Sequence, residues 1–299
     1  MAPKILAFGE IIWDVYPDRK LIGGAGLNFA AHCAKCGCES YMLSSVGNDE
    51  LGDNVFDIAR GFGVKTEFIK TCDKATGRCI VTLNDAKIPS YNVLRDAAYD
   101  NIVLCDEDIG DIKAIGFDAI YFGTLIQRAP LSRGSLLRLL KICDFKEKVC
   151  DVNLRTDCFD KDSVRLCLEN ATVLKISDEE EPTLSALGLY SANDNTPESI
   201  ASAISASFPH IKYVIITCGS RGAYVYVTKE ERGFFRESEK VKVASTVGAG
   251  DSFIAAWTAS MLSGSTPEKA AERAVKLSGY VVSKTDAIPD YSFNDIIKP

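Results

Sequence analysis

The stretch Thr246-Val247-Gly248-Ala249-Gly250-Asp251-Ser252-Phe253 leads into an apolar segment that extends to Leu262. A Gly-Ala-Gly run at the start of a helix leaves several backbone N–H groups without an acceptor in the helix, and such groups bind anions. Asp251 falls in the first helical turn, where a carboxylate also interacts favourably with the helix dipole. An aspartate with only that role would repel the anion, whereas an aspartate that accepts a proton from an attacking hydroxyl suits a phosphoryl group. The stretch therefore predicts a phosphoryl-transfer site.

Outward from this stretch, short apolar runs of strand length alternate with amphipathic segments along most of the 299 residues. The predicted strands are Lys4–Phe8, Tyr41–Val46, Ala119–Phe122, Val149–Val152, Thr172–Ile176, Tyr213–Cys218 and Ala223–Val227. The predicted helices include Leu51–Phe62, Ser135–Cys143 and Ile200–Phe208. Pro197 and Pro267 each follow a threonine, which is the pattern of a capped helix start. This alternation favours an α/β fold with a parallel sheet that helices cover on both faces.

Two early segments break the alternation, because no crossover helix follows them. Ile12–Ile22 predicts a hairpin with a turn near Pro17-Asp18-Arg19-Lys20. Arg78–Leu83 and Ile88–Leu94 predict two further strands joined by Asn84-Asp85-Ala86-Lys87. We expect these pieces to form a small antiparallel sheet inserted over one edge of the main sheet, where it can act as a lid.

Charge and hydropathy exclude several classes of protein. The net charge is −7, from 41 acidic and 34 basic residues, which disfavours nonspecific binding to nucleic acid. The longest apolar runs have strand length and fall short of the roughly 18 residues that suggest a membrane span. Met1–Lys4 lacks the layout of a signal peptide. We therefore expect a cytoplasmic protein that binds neither nucleic acid nor a membrane.

The cysteines predict reduced thiols. Their number is eleven, which is odd, and several lie inside apolar periodic segments where a thiol behaves as a small hydrophobic group. Cys33-Ala-Lys-Cys36-Gly-Cys38 lies beside His32, but the chain has no second CxxC and only one other histidine. Because a structural zinc site needs four ligands, we do not expect a metal at this cluster.

Further candidate residues follow the predicted strands, where open α/β sheets bind ligands. Gly23-Gly24-Ala25-Gly26-Leu27-Asn28 lets the backbone approach a ligand, and Asp14 and Asn28 can hydrogen-bond to hydroxyl groups. A tight turn before a polar helix start explains these residues equally well. Thr217-Cys218-Gly219-Ser220-Arg221-Gly222 suits a turn close to phosphates, although a plain hairpin uses such glycines too. The sequence contains neither a dinucleotide fingerprint nor a Walker A motif.

Taken in order, these motifs resemble the ribokinase or PfkB family of carbohydrate kinases. The matching residues are Gly9-Glu10, Asp14, Gly23-Gly24-Ala25-x-x-Asn28, Val46-Gly47-x-Asp49-x-x-Gly52, Asp151-x-Asn153-x-Arg155, Thr217-x-Gly219-x-x-Gly222 and Gly248-Ala-Gly-Asp251. The resemblance spans nearly the whole chain. It implies one ribokinase-like three-layer α/β/α domain over residues 1–299, with a mostly parallel central sheet and a β lid at about 12–22 and 75–98.

The resemblance also implies an activity and its residues. It implies transfer of the γ-phosphoryl group of Mg-ATP to a hydroxymethyl group of a small sugar. Asp251 would be the catalytic base, and the amides of Gly248, Ala249 and Gly250 would form the anion hole. The implied sugar contacts are Asp14, Gly23, Gly24, Asn28 and Arg155; the implied nucleotide contacts are Ser177, Thr217, Gly219 and Gly222; the implied metal residue is Glu180.

The substrate stays open among several sugars. Asp151-Val-Asn153-Leu-Arg155, together with Ala98-Tyr99-Asp100, is similar to the branch of fructokinases and 2-keto-3-deoxygluconate kinases. We expect fructose, with 2-keto-3-deoxygluconate, ribose or a nucleoside as alternatives. The guanidinium of Arg155 suits a hydroxyl, a carboxylate or a phosphate, or it forms a surface ion pair. A non-catalytic sugar-binding regulator is the alternative from another class, and a homodimer joined through the lid is a further expectation.

Three positions depart from the family pattern. The Asn-x-x-Glu motif, which organises metal and phosphate, appears as Ser177-Asp178-Glu179-Glu180 and keeps only the glutamate. Ser245 replaces the aspartate that some members use as a ligand for a monovalent cation, and Asp286 replaces a glycine near the C-terminus. No lysine lies next to the 246–253 stretch to supply a substitute charge. A neutral hydroxyl is a poor ligand for a hard cation, so the sequence predicts weak or absent dependence on potassium.

Overall fold

Strands and helices alternate along the chain, as the sequence predicts. A computed structural model describes residues 1–83 and 89–298. The strands are β1 Lys4–Phe8, β2 Ile12–Val15, β3 Lys20–Gly23, β4 Glu39–Gly47, β5 Lys65–Cys72, β6 Gly77–Leu83, β7 Pro89–Val93, β8 Ala119–Gly123, β9 Glu147–Asp151, β10 Val173–Ser177, β11 Tyr213–Thr217, β12 Gly222–Val227 and β13 Arg232–Glu237. The helices are α1 Ala25–Lys35, α2 Glu50–Gly61, α3 Asp106–Ile115, α4 Pro130–Ile142, α5 Lys161–Asn170, α6 Glu181–Ala186, α7 Pro197–Ser207, α8 Ala249–Leu262, α9 Pro267–Val282 and α10 Phe293–Ile296.

The main sheet has nine strands in the order β13-β12-β11-β10-β9-β8-β1-β4-β5. Its strands run parallel except for the antiparallel pairs β11–β12 and β12–β13. Alternate side chains of β1 enter two cores: Leu6 and Phe8 pack towards α3–α7, while Ile5 and Ala7 pack towards α1, α2, α8 and α9. This arrangement confirms the predicted three layers and mostly parallel sheet. It also brings the carboxyl ends of β1, β9, β10 and β11 to one edge.

A second sheet has four strands in the order β3-β2-β6-β7. The expectation that this sheet is antiparallel is wrong at its centre, because β2 and β6 pair in parallel. The reason is topological: β2 follows β1 and β6 follows β5, two main-sheet strands that run in the same direction. The turn predicted at Asn84–Lys87, and Ile88 after it, lie outside the described residues.

Polar contacts join the second sheet to the main one at Thr76, directly before β6. The Thr76 hydroxyl accepts a hydrogen bond from Gly47 N and donates one to Asp49 Oδ1, at 2.9 and 2.7 Å. The same Asp49 accepts from Gly52 N and caps α2. On β2, Trp13 Nε1 donates to Leu51 O at 3.2 Å. These contacts fix the base of the second sheet against β4 and α2.

The local signals in the sequence are reproduced at the predicted positions. Thr196 and Thr266 cap α7 and α9, and a proline follows each cap.

The His32 side chain lies in the core, with its ring nitrogens 2.7 Å from Tyr291 Oη and 2.9 Å from Ala287 O. Within the described ranges, no helix is both long enough and apolar enough to cross a bilayer.

Candidate active site

The N-terminus of α8 presents free backbone donors. Gly248 caps the helix with φ 81°, and a Cβ there would lie 2.7 Å from Ala287 O, so only glycine fits. The N–H of Ala249 donates to Thr246 O at 3.3 Å. Among the described residues, no group accepts from the N–H of Gly248, Gly250 or Asp251. Of the three amides predicted to bind an anion, those of Gly248 and Gly250 are therefore free, and the N–H of Asp251 joins them.

Asp251 lies in the first turn of α8 with only 9% of its surface exposed. Its Oδ2 accepts a hydrogen bond from Asn28 Nδ2 at 2.7 Å, and no group of the described chain donates to its Oδ1. Burial raises the pKa of Asp251, while the Asn28 hydrogen bond and the charges of Lys175 and Arg155 oppose that rise. A carboxylate with one anchored oxygen and one free oxygen can accept a proton from a bound hydroxyl.

The start of α1 lies against the same aspartate. Gly24 precedes the helix with φ 101°, and a Cβ there would lie 2.6 Å from Glu10 O. The buried Glu10 carboxylate accepts from Ala25 N at 2.9 Å and holds the turn in place. Asn28 Oδ1 is buried without a hydrogen-bond donor, and a Cβ on Gly23 would lie 3.7 Å from it. Buried polar atoms are rarely left unpaired, so this acceptor is suited to a ligand hydroxyl.

Asp14 and Arg155 approach this site from the second sheet and from the loop after β9. Burial raises the pKa of the Asp14 carboxyl, and the charge of Arg155 and a hydrogen bond with Cys79 oppose the rise. Arg155 is exposed and acts electrostatically on both Asp14 and Asp251. Arg155 forms no ion pair with any residue that the structure describes. Its guanidinium is therefore available to a ligand rather than committed to a surface pair.

A buried ion pair that the sequence analysis missed lies beneath the anion site. Lys175 Nζ on β10 lies 2.8 and 2.9 Å from the two carboxylate oxygens of Asp151 on β9. A Cβ on Gly250 would lie 3.0 Å from the same nitrogen. Lys175 is far from the 246–253 stretch in sequence, but the fold brings its ammonium to that stretch. The only signal was a single charged residue inside the otherwise apolar run of β10.

The predicted nucleotide residues lie at the ends of β10 and β11. Ser177 pairs with Thr217 across the two strands, and Asp178 N donates to Thr217 O at 2.9 Å. Gly219 begins a single 3-10 turn, and a Cβ on Gly222 would lie 2.0 Å from Arg236 O. Gly222 therefore lets this turn pack closely on the end of β13, whereas Gly219 provides the positive φ of 55° at the start of the turn.

Glu180 has few lone pairs left for a metal. Its carboxylate accepts from Leu154 N at 2.6 Å, Ser177 N at 2.8 Å and Ser177 Oγ at 2.9 Å. A carboxylate offers about four acceptor positions, so about one remains. That remaining acceptor position suits one water molecule or one metal ion. The three hydrogen bonds also fix the loop that leads from β9 towards Arg155.

A cleft of about 1010 Å³ lies between the end of β13 and α9, with Arg236, Val241, Gly279 and Ser283 among its lining residues. The segment from β13 to α8 crosses its rim, and Ala244 N and Ser245 N donate to Val282 O. Val241, Val243 and Val247 are exposed apolar residues of this segment. The cleft is joined to the glycine turn at 219–222, because Ser238 of its lining donates to Arg221 O. Its wall α9 is joined to the anion site, because Ser278 Oγ donates to Ala249 O at 3.0 Å.

Comparison with known proteins agrees with this fold and these motifs. The model of the family described as "pfkB family carbohydrate kinase" matches residues 4–293. Guanosine-inosine kinase of Exiguobacterium acetylicum is 25% identical over 95% of this chain and 94% of its own length. Fructokinase of Solanum tuberosum is 26% identical over 84% of this chain and 79% of its own length. The crystal structure of an uncharacterized sugar kinase from Pyrococcus horikoshii in complex with ATP has a TM-score of 0.78 at 23% identity, and covers 99% of this chain and 96% of that one.

The fold and the family match define a phosphotransferase that acts on an alcohol group. The chain belongs to the pfkB family of carbohydrate kinases, whose members use Mg-ATP.

Proposed function

We propose that this protein is an ATP-dependent sugar kinase that phosphorylates a hydroxymethyl group of fructose. The observation that carries the proposal is the meeting of three unsatisfied groups around Asp251. These are the free amides at the start of α8, the free Oδ1 of Asp251 and the orphaned Oδ1 of Asn28. Together they suit a transferring phosphoryl group, the hydroxyl that attacks it and a neighbouring sugar hydroxyl.

Each side chain has a distinct task in this proposal. Asp251 accepts the proton of the attacking hydroxyl, and Asn28 holds the carboxylate in place through its 2.7 Å hydrogen bond. The N–H groups of Gly248 and Gly250 stabilise negative charge on the transferring group. Asp14 and Asn28 Oδ1 accept hydrogen bonds from other sugar hydroxyls. Arg155 donates to an oxygen at the outer end of the sugar, since its side chain is exposed.

The nucleotide lies, in this proposal, along the ends of β10 and β11 and in the cleft beside α9. The base packs against Val241 and Gly279 of the cleft, and Thr217 and Gly219, at the end of β11, border the phosphates. Glu180 would hold magnesium through its remaining acceptor position, with Ser177 fixing the carboxylate. When bound, magnesium supplies charge neutralisation between the phosphates.

Fructose is favoured by the similarity to the potato fructokinase, and a nucleoside is the second candidate because of the similarity to the guanosine-inosine kinase. The two differ in what fills the outer end of the site. A nucleoside places an apolar base near the second sheet, whereas fructose offers only hydroxyls to Arg155 and Asp14. Ribose and 2-keto-3-deoxygluconate complete the set of candidates.

An ADP-release assay on a sugar panel tests the proposal. The panel is fructose, ribose, 2-keto-3-deoxygluconate, inosine and guanosine, each with Mg-ATP. We expect kcat/KM for fructose to exceed that of every other compound by about tenfold or more, a difference of about 1.4 kcal/mol. Preference for inosine or guanosine would replace fructose by the second candidate. ATP turnover on no compound would favour the sugar-binding regulator and overturn the proposal.

Two expectations about the protein's setting accompany this function. We propose that the enzyme works in the cytoplasm, because all eleven cysteines are free thiols, which fits a reducing compartment. A homodimer joined through the second sheet stays a prediction, and sedimentation with and without sugar would test it.

A further inference from the structure

The buried pair of Lys175 and Asp151 is the feature of this site that the proposed reaction leaves unexplained. Both side chains are almost fully buried, with 6% and 1% exposed. Burying two charges costs several kcal/mol each, and an apolar pair of similar volume often serves stability as well or better. Stability alone is therefore a weak reason for charges here.

The position of Lys175 next to α8 indicates why a charged pair is buried here. Its ammonium packs against the backbone of Gly250, where a Cβ would lie 3.0 Å from Nζ and 3.3 Å from Cε. The second glycine of the Gly-Ala-Gly run thus leaves room for the lysine beneath the first turn of α8. The carboxylate of Asp151 accepts two hydrogen bonds from Nζ and prevents the side chain from leaving this place.

We propose that Lys175 is a positioning residue for catalysis: Asp151 holds its ammonium against the first turn of α8, where the charge favours the ionised form of Asp251. This inference rests on the proposed role of Asp251 as the base. An aspartate accepts a proton only when it is ionised, and burial disfavours that form. A fixed cation beneath the helix opposes the effect of burial without occupying the substrate's side of the carboxylate.

Several charged and polar groups act on Asp251, and all of them except the Lys175–Asp151 pair are kept constant in the test. They come from each element around it: Glu10 after β1, Asn28 on α1, Tyr121 on β8, Asp151 on β9, Arg155 after β9 and Lys175 on β10. Lys175 is the only buried cation of this group, since Arg155 is exposed and screened by solvent. Of the two cations, Lys175 should therefore have the stronger effect.

The test removes both charges and keeps the volume of the pair. Lys175→Gln combined with Asp151→Asn leaves two amides that can still hydrogen-bond. Lys212→Gln combined with Glu147→Gln is the matched control, because Lys212 and Glu147 form a 2.8 Å ion pair at the opposite end of β9. A second charge-free pair, Lys175→Met with Asp151→Leu, is prepared in case the amides do not fold.

The first readout is the pH profile of kcat/KM for the best substrate. We expect the acid limb of the charge-free pair to move up by about one pH unit, which gives about tenfold lower activity on that limb. On the alkaline plateau, activity should stay within about threefold of wild type, and the control should match wild type throughout. An equal loss at every pH, with the acid limb unmoved, would assign the pair a purely structural role.

The second readout needs no catalysis, so it separates this inference from the proposed function. The free energy of unfolding is measured as pH rises for four proteins: the wild type and the charge-free pair, each with Asp251 and with Asp251→Asn. The pKa of Asp251 is raised in the fold, so its stability relative to asparagine is present at low pH and is lost as pH rises through that pKa. We expect the loss to extend to higher pH in the charge-free background. The same pH window in both backgrounds, or failure of both charge-free pairs to fold while the control folds, would overturn the proposal.

Discussion

Replacing Asp251 by asparagine tests the centre of the proposed mechanism. Asparagine keeps the shape of the side chain, and its amide oxygen can still accept the hydrogen bond from Asn28 Nδ2. The change places an NH₂ group, or an amide oxygen of very low basicity, where the free Oδ1 faces the substrate. The variant therefore retains the fold and the sugar contacts but cannot accept the hydroxyl proton.

The size of the loss follows from the role of the base. General-base catalysis contributes about 10²–10⁴ in rate, so we expect turnover to fall by about 100-fold or more, which is about 2.7 kcal/mol or more in the barrier. Loss of the favourable charge in the first turn of α8 changes stability by only about 0.3–1 kcal/mol. Burial disfavours this charge, so removing it relieves a cost that opposes the loss of the helix-dipole interaction. The expected rise of the activation barrier is thus clearly larger than the expected change in the free energy of unfolding.

The assay is steady-state ADP release with the best sugar, accompanied by calorimetric titration of that sugar. Asp53→Asn is the matched control, since Asp53 is an exposed aspartate in the first turn of α2. We expect the control to keep wild-type turnover and Asp251→Asn to bind sugar within about threefold of wild type while losing kcat. Turnover of Asp251→Asn close to wild type would show that another group accepts the proton.

Three further predictions concern the cleft, the cation and the second sheet. Gly279→Leu should raise KM for ATP by about tenfold with little change in KM for the sugar, since its side chain enters the cleft, while the exposed helical Gly134→Leu should change neither constant. Ser245 provides only a hydroxyl, so activity in sodium or choline salts should lie within about threefold of that in potassium, and a tenfold activation by potassium would contradict this. Sugar binding should slow amide exchange in Gly77–Leu83 more than in Pro197–Ser207 if the second sheet closes over the sugar; equal changes would count against a lid.

Local patterns in the sequence were sufficient to predict the layers of the fold. Alternating apolar strands and capped helices predict a parallel sheet between helices, and Thr196 and Thr266 cap their helices as expected. The pairing of β2 with β6 was not predictable in this way, because their paired residues, such as Ile12 and Gly77, are far apart in sequence and no local signal orients the strands. Their direction depends on the strands that precede them in the main sheet.

The candidate site also contains residues that local sequence patterns indicate and residues that they do not. Residues in recognisable local patterns, such as Gly248, Gly24 and Asp251, were candidates from the sequence alone; the structure brings them together, and their roles stay predictions. Lys175 could not, because a single lysine within an apolar strand gives no indication of which residue it faces. Its partner Asp151 is 24 residues away, and Gly250 is brought to it only by the packing of α8 on the sheet. Contacts between distant segments of this kind need the three-dimensional structure.

The same contacts explain why the departure at Ser177 is compatible with an intact site. The serine hydroxyl donates to Glu180 Oε2 while Glu180 Oε1 accepts from Leu154 N, so the turn after β10 is held to the loop after β9. An asparagine is not needed for that connection. Because Leu154 directly precedes Arg155, the Ser177–Glu180 turn also fixes the backbone from which Arg155 extends. In the proposed site, Glu180 on the metal side and Arg155 on the sugar side are therefore held by the same turn, and loosening Glu180 should disturb sugar binding as well as the use of Mg-ATP.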